Sequence, residues 1–176
     1  LKYVECPGSP LIVVASEEDA RALWSLGWYG KGALSRGKPM CCNNTNGNSN
    51  SNNAVQRSAT TVSSGPPPAK APRESELVLL SHIECFYLAF LSEHRASVVV
   101  DGKTKEECWS AFCAANGRFP HLLAAYTHFR RKGWAPRTGL SHGVDFLLYR
   151  PLDRHTHAEY SVIVTDAGTD STTWAR

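Results

Sequence analysis

The sequence predicts an α/β chain of the α+β kind, with a mostly helical N-terminal region and then a small C-terminal domain in which one helix feeds a sheet. Three observations predict it. Residues 120–132 open on Pro120, carry Leu122, Leu123, Tyr126 and Phe129 at helical spacing, and close on Arg130, Arg131 and Lys132, where cations complement the helix dipole. Gly133 ends that helix, and three extended pieces follow at 134–138, 145–150 and 159–165, separated by glycine-rich and proline-led turns. Upstream, residues 76–118 place their apolar side chains mainly at helical spacing.

Taken in order, residues 11–14 are a short β-branched run, and Ser16 followed by Glu17, Glu18 and Asp19 offers an N-cap with carboxylates in the first turn. A short helix through Trp24 should follow. Gly27, Gly30, Gly32 and Gly37 then break any regular pattern, so 27–39 reads as a turn-rich segment carrying Trp28, Tyr29 and Lys31. From 41 to 75 the composition shifts to asparagine, serine and threonine and ends among Pro66, Pro67, Pro68 and Pro72. Such a stretch buries too little apolar surface to offset its conformational entropy, so it reads as a disordered low-complexity linker.

After the linker, residues 76–95 carry Leu77, Leu80, Ile83, Cys85, Tyr87, Leu88 and Leu91, dense enough for a helix packed on two sides. Val98, Val99 and Val100 lead into an Asp101-Gly102 turn as a strand or extended piece. Thr104 caps the next helix, which has Glu106 and Glu107 in its first turn, Trp109, Phe112 and Cys113 on its apolar face and Gly117 at its end. The organisation expected is therefore an N-terminal segment 1–40, a linker 41–75, a helical domain 76–118 and a C-terminal domain 119–176.

A chain of 176 residues with net charge +3 can hold a real core and permits a nucleic-acid partner without demanding one. The six cysteines, at 6, 41, 42, 85, 108 and 113, include no C-x-x-C pair. They read as free thiols of a reducing compartment, with Cys85 and Cys108 buried. No apolar run approaches the ~18 residues of a membrane span, and no basic-then-apolar leader opens the chain, so a soluble intracellular protein is expected.

Read as a string, Tyr126-x-His128-Phe129-Arg130-x-Lys132-Gly133-Trp134-x-Pro136-Arg137-x-Gly139-Leu140-x-x-Gly143-x-Asp145-Phe146-Leu147-Leu148-Tyr149-Arg150, then His157-Ala158-Glu159-Tyr160-Ser161-Val162-Ile163-Val164, resembles the catalytic domain of tRNA-intron (tRNA-splicing) endonucleases. It resembles most closely the eukaryotic subunit that cuts the 5′ splice site. The earlier piece from Leu26 to Arg36, with Gly30-Lys31-Gly32 at its centre, is similar to a segment the same family places before a long variable insertion.

The resemblance implies a small restriction-endonuclease-like fold and RNA cleavage without metal or other cofactor, in which the 2′-hydroxyl of the substrate attacks to leave a 2′,3′-cyclic phosphate and a 5′-OH. Such a lyase-type reaction needs a base, an acid and positive charge at the phosphorane-like transition state. By position, Tyr149 matches the family's base and His157 its acid. Histidine titrates near neutrality, which suits a donor. Tyrosine ionises only near pH ~10, so the phenol needs cationic neighbours, with Arg150 and Arg154 as candidates, or acts by orienting the 2′-hydroxyl.

The family's third group, a lysine some tens of residues after the histidine, has no match, since Lys132 is the last lysine of the chain. Truncation at the C-terminus is the expectation, and an inactive relative the alternative. The resemblance also implies a nuclear heterotetramer, or one on the mitochondrial outer surface in some lineages. There the chain would join a second catalytic subunit and two structural ones on precursor tRNA. A non-catalytic structural subunit or RNA-binding scaffold of that complex is the competing reading.

Plainer roles stand beside these. Tyr149 ends an apolar strand, where a tyrosine with a wet hydroxyl is ordinary. His155 lies two residues from His157, and the pair lacks a carboxylate or thiol at metal-ligand spacing. Arg130, Arg131, Lys132 and Arg137 either face phosphates or form a solvated helix cap. Tyr126, Phe129 and Trp134 read as core in preference to base-stacking platforms.

Overall fold

The computed structural model describes residues 2–4, 11–14, 16–34, 38–42, 76–95, 98–100, 102–150 and 157–165. It is an α+β protein with two small antiparallel sheets and four helices among the described residues. Most of the expected linker (43–75), the 151–156 stretch containing Arg154 and His155, and Trp174 and Arg176 lie outside the described residues.

The N-terminal region holds more strand than its composition suggests. Strands β1 (Lys2–Val4), β2 (Leu11–Val14), β3 (Lys31–Gly32) and β4 (Val78–Leu80) form one sheet in the order β1-β2-β4-β3, antiparallel throughout. Two expectations change here. Part of the turn-rich segment pairs as β3, and 76–95 is not one helix, because Val78 and Leu80 alternate inward as a strand seated between β2 and β3. The helix starts only at Ser81, whose hydroxyl accepts from the Glu84 N–H while Glu84 reaches back to the Ser81 N–H. That Ser-x-x-Glu box was readable in the sequence. Strand β4 also joins the segment before the linker to the segment after it.

Helix α1 (Glu17–Gly27) opens on the Ser16 cap as expected and runs a turn beyond Trp24. It stops where Trp28 takes a left-handed backbone, φ 60°, and returns its N–H to the carbonyls of Leu23 and Trp24. A short 3-10 turn, Met40–Cys42, packs back on it, with Arg21 Nε donating to the Cys41 carbonyl at 2.7 Å. Helix α2 (His82–Phe86) continues as a π-helical turn, Tyr87–Leu91. Val98 to Val100 joins neither sheet. Helix α3 (Lys105–Ala115) carries the Thr104/Glu107 capping box, and α4 (Phe119–Arg131) begins without a side-chain cap but with proline in its first turn.

Two apolar clusters form the core, and α4 joins them. Phe119 and Leu123 sit in the larger cluster with Phe86, Leu88, Phe112 and the thiols of Cys85 and Cys108, both fully buried. Leu122 and Tyr126, on the adjacent face of the helix, sit in the smaller one with Phe146 and Leu148. A helix bearing apolar side chains over so wide an arc has to be covered on two sides. Among the described residues, no helix is long and apolar enough to cross a membrane.

Candidate active site

The C-terminal sheet has strand order β5 (Ala135–Thr138), β6 (Phe146–Tyr149), β7 (Tyr160–Val162). Its register fixes what each face carries, because residues paired across an antiparallel ladder share a face. Pro136, Leu148 and Tyr160 share one face with Phe146 and Val162, against Tyr126 and Leu122 of α4. Arg137, Leu147, Ser161, Ala135 and Tyr149 fall on the other.

Two glycines of the motif string have physical reasons. Gly133 takes φ 82° at the end of α4, where its N–H bonds the Arg130 carbonyl and the Trp134 N–H bonds that of Phe129, turning the chain into β5. At Gly139 a Cβ would collide with Val144 Cγ2 and lie 2.9 Å from the Val144 carbonyl, so only glycine closes the β5–β6 turn this tightly. Asp145, just before β6, accepts both Arg118 Nη atoms at 3.0 Å and the Val164 N–H at 2.7 Å, which locks the flanks of β6 and β7 together.

Tyr149 is the last residue of β6, half-buried, opposite Ala135. Its ring meets that of Trp28, with centroids 6.4 Å apart. His157 is exposed and precedes β7. The Glu159 N–H donates to the Leu148 carbonyl at 2.9 Å, and the β6–β7 register pairs Leu148 with Tyr160. The antiparallel return therefore brings His157 to the same end of the sheet as Tyr149. A phenol and an imidazole, two groups able to exchange protons, thus lie at one end of the sheet.

Of the two cations expected to serve Tyr149, Arg154 lies outside the described residues and Arg150 is engaged elsewhere. Arg150 Nε pairs with Glu159 Oε1 at 3.0 Å, and its guanidinium lies over the Trp134 ring at 4.8 Å. Two of the four basic residues near the end of α4 are also committed to protein partners. Arg130 Nη1 donates to the Gly27 carbonyl at 2.6 Å and Nε to the Tyr126 hydroxyl at 2.9 Å, with the guanidinium 3.9 Å from the centre of the Tyr29 ring. Arg137 Nη1 donates to the Trp28 carbonyl at 2.6 Å and lies over Trp24. Arg131 and Lys132 are exposed.

These contacts bring together the two stretches that carry the family resemblance, and sequence reasoning did not pair Trp28 with Tyr149. The signal that could have paired them is that Leu26 to Arg36 and the C-terminal string resemble the same family. Of the aromatic residues, Tyr126 is fully core, while Phe129 and Trp134 are half-buried against it. Burial pushes the Tyr29 phenol up to about 12 despite the nearby Arg130, and burial raises Tyr126 still more firmly. Both stay neutral, which suits them as packing groups under Arg130. Among the described residues no group of three or more His, Cys, Asp or Glu could hold a metal ion.

Residues 119–174 match the family described as tRNA intron endonuclease, catalytic C-terminal domain. The chain is 40% identical over 90 residues to the mouse protein named tRNA-splicing endonuclease subunit Sen2, covering 51% of this chain and 20% of that protein. It is 33% identical over 101 residues to Sen2-1 of Arabidopsis thaliana, covering 56% of this chain and 42% of that one. A tRNA-splicing endonuclease of Sulfurisphaera tokodaii is 27% identical over 157 residues, 88% of this chain and 69% of its own length. The chain thus spans about a fifth of the mouse relative and about two fifths of the Arabidopsis one.

Proposed function

We propose that the chain, whose residues 119–174 match the tRNA intron endonuclease catalytic domain, acts as the tRNA-splicing endonuclease subunit that cuts precursor tRNA at the 5′ splice site. The observation that carries this reading is the return of His157 to the end of the sheet where Tyr149 lies, both within the segment matched by the catalytic-domain family. Likeness to subunits named Sen2 supports a multi-subunit complex, which we take to hold a second catalytic subunit and two structural ones, in the nucleus or on the mitochondrial outer surface.

In the proposed reaction Tyr149 takes, or orients for removal, the proton of the 2′-hydroxyl at the splice site. The 2′-oxygen forms a bond to phosphorus as the bond to the 5′-oxygen breaks, and His157 gives its proton to that leaving oxygen. The products are a 2′,3′-cyclic phosphate and a 5′-OH, with no oxidant, metal or cofactor in the balance. General acid–base catalysis of this kind contributes ~10²–10⁴-fold per group.

The test is cleavage of precursor tRNA by a reconstituted complex containing the full-length protein. Tyr149→Phe and His157→Ala should each abolish 5′-site cutting and spare the 3′ site. Normal 5′ cleavage by His157→Ala would sink the assignment and leave the structural-subunit reading.

A further inference from the structure

Beside the candidate catalytic pair, the surface holds a groove of about 630 Å³, inside the ~300–1,000 Å³ range of small-ligand sites. Three elements wall it: Trp28 and Tyr29 after α1, Glu93 and His94 after the π-helical turn, and Arg130, Arg131 and Trp134 at the end of α4. Its position is tied to the candidate active site at two points. The Trp28 ring touches Tyr149, and Trp134 directly precedes Ala135, the ladder partner of Tyr149. The groove therefore adjoins the end of the sheet that holds Tyr149.

The charge in the groove favours an anion. The end of α1 presents backbone carbonyls, which would repel phosphate, but Arg130 donates to the Gly27 carbonyl and lies over Tyr29, so the floor is cationic. Arg131 is exposed above it, and His94 adds an imidazole 3.7 Å from Glu93, the one carboxylate among the described lining residues. Glu93 is 89% exposed and weakly placed to offset two guanidiniums. Basic side chains together with aromatic rings are the combination by which proteins hold single-stranded RNA.

We propose that this groove is a nucleotide subsite. It seats the RNA strand on one side of the scissile phosphate, with Arg131 and His94 on a flanking phosphate and Trp28 and Trp134 against its ribose or base. The inference rests on the cleavage reading for its substrate. It also gives Arg131, but not Lys132, a role beyond capping α4, since Lys132 is equally exposed and does not line the groove.

That difference supplies the test. The reconstituted complex is titrated with a precursor tRNA bearing 2′-deoxyribose at the scissile nucleotides of both splice sites, which cannot be cut, over a range of salt. Arg131→Glu, His94→Gln and the matched control Lys132→Glu are compared. Arg131→Glu should weaken binding roughly tenfold more than Lys132→Glu, and lower the slope of log affinity against log salt by about one more unit.

His94→Gln should weaken binding several-fold. Equal losses for Arg131→Glu and Lys132→Glu, or none in either, would overturn the subsite and leave only general attraction to a polyanion. Because the readout is binding of uncleavable RNA, it is independent of Tyr149 chemistry. Normal cleavage by Tyr149→Phe alongside weak binding by Arg131→Glu would refute the catalytic roles and keep the groove.

Discussion

The rings of Trp28 and Tyr149 stand 6.4 Å apart, tilted by 54°, although the two residues belong to opposite ends of the chain. Trp28 reaches that position through a left-handed backbone, φ 60°, found at no other non-glycine among the described residues. That conformation costs ~1–2 kcal/mol. Stacking on Trp24 at 5.8 Å and the bond from Arg137 to the Trp28 carbonyl hold it in place.

Trp28→Asn separates the ring from the backbone, because asparagine tolerates the left-handed region. Without an indole to stack on Trp24 and meet Tyr149, stability should fall by about 1–3 kcal/mol, read by denaturant titration. An unchanged midpoint would show that the ring holds nothing.

Arg130 is the clamp between the N-terminal segment and α4. Lysine can replace its charge but not its fork, so Arg130→Lys should lose the bond to either Gly27 or Tyr126 and cost about 1–3 kcal/mol. A thermal melt indistinguishable from that of the parent would contradict this.

The tyrosines under that clamp set an alkaline limit. Burial raises the folded pKa of Tyr29 from 10.0 to about 12, so the neutral phenol is favoured in the folded state. Its contribution is fully present below pH 10 and is lost as pH rises through about 12. Tyr126 shifts the same way. Stability measured against pH should drop over this interval, and Tyr29→Phe should flatten the drop; an identical profile for the variant would refute the assignment.

Asp145 joins the start of α4 to the flanks of β6 and β7. Arg118 is half exposed, so the ion pair itself adds little, and the larger share comes from the partly buried carboxylate accepting the Val164 N–H. Asp145→Ala should cost about 1–3 kcal/mol and speed hydrogen exchange at Val164, with Asp145→Asn recovering part of both. Unaltered exchange would mean the end of β7 is held by something else.

Cys85 and Cys108 should resist thiol reagents at mildly alkaline pH until the protein is unfolded. Burial pushes Cys85 up to about 12 and raises Cys108 as well, and only the thiolate reacts. Mass spectrometry after brief labelling would show modification at Cys113 before either, and early labelling of Cys85 would count against its burial.

What the sequence determined by itself was local. Ser16 and Thr104 capped their helices, the apolar spacing and final glycine marked α4, and the three extended pieces became β5, β6 and β7, because caps, dipoles and turns involve residues within a few positions of one another. The motif string also pointed to Tyr149 and His157. Tertiary structure decided the rest. Val78–Leu80 looks helical among its neighbours but is a strand because β2 and β3 offer ladders on both sides, a non-local pairing that outweighs propensity. Likewise, three adjacent cations read alike as sequence. Packing made Arg130 a half-buried clamp, left Arg131 over a groove and turned Lys132 to solvent, since the position of α1 against α4 distinguishes them.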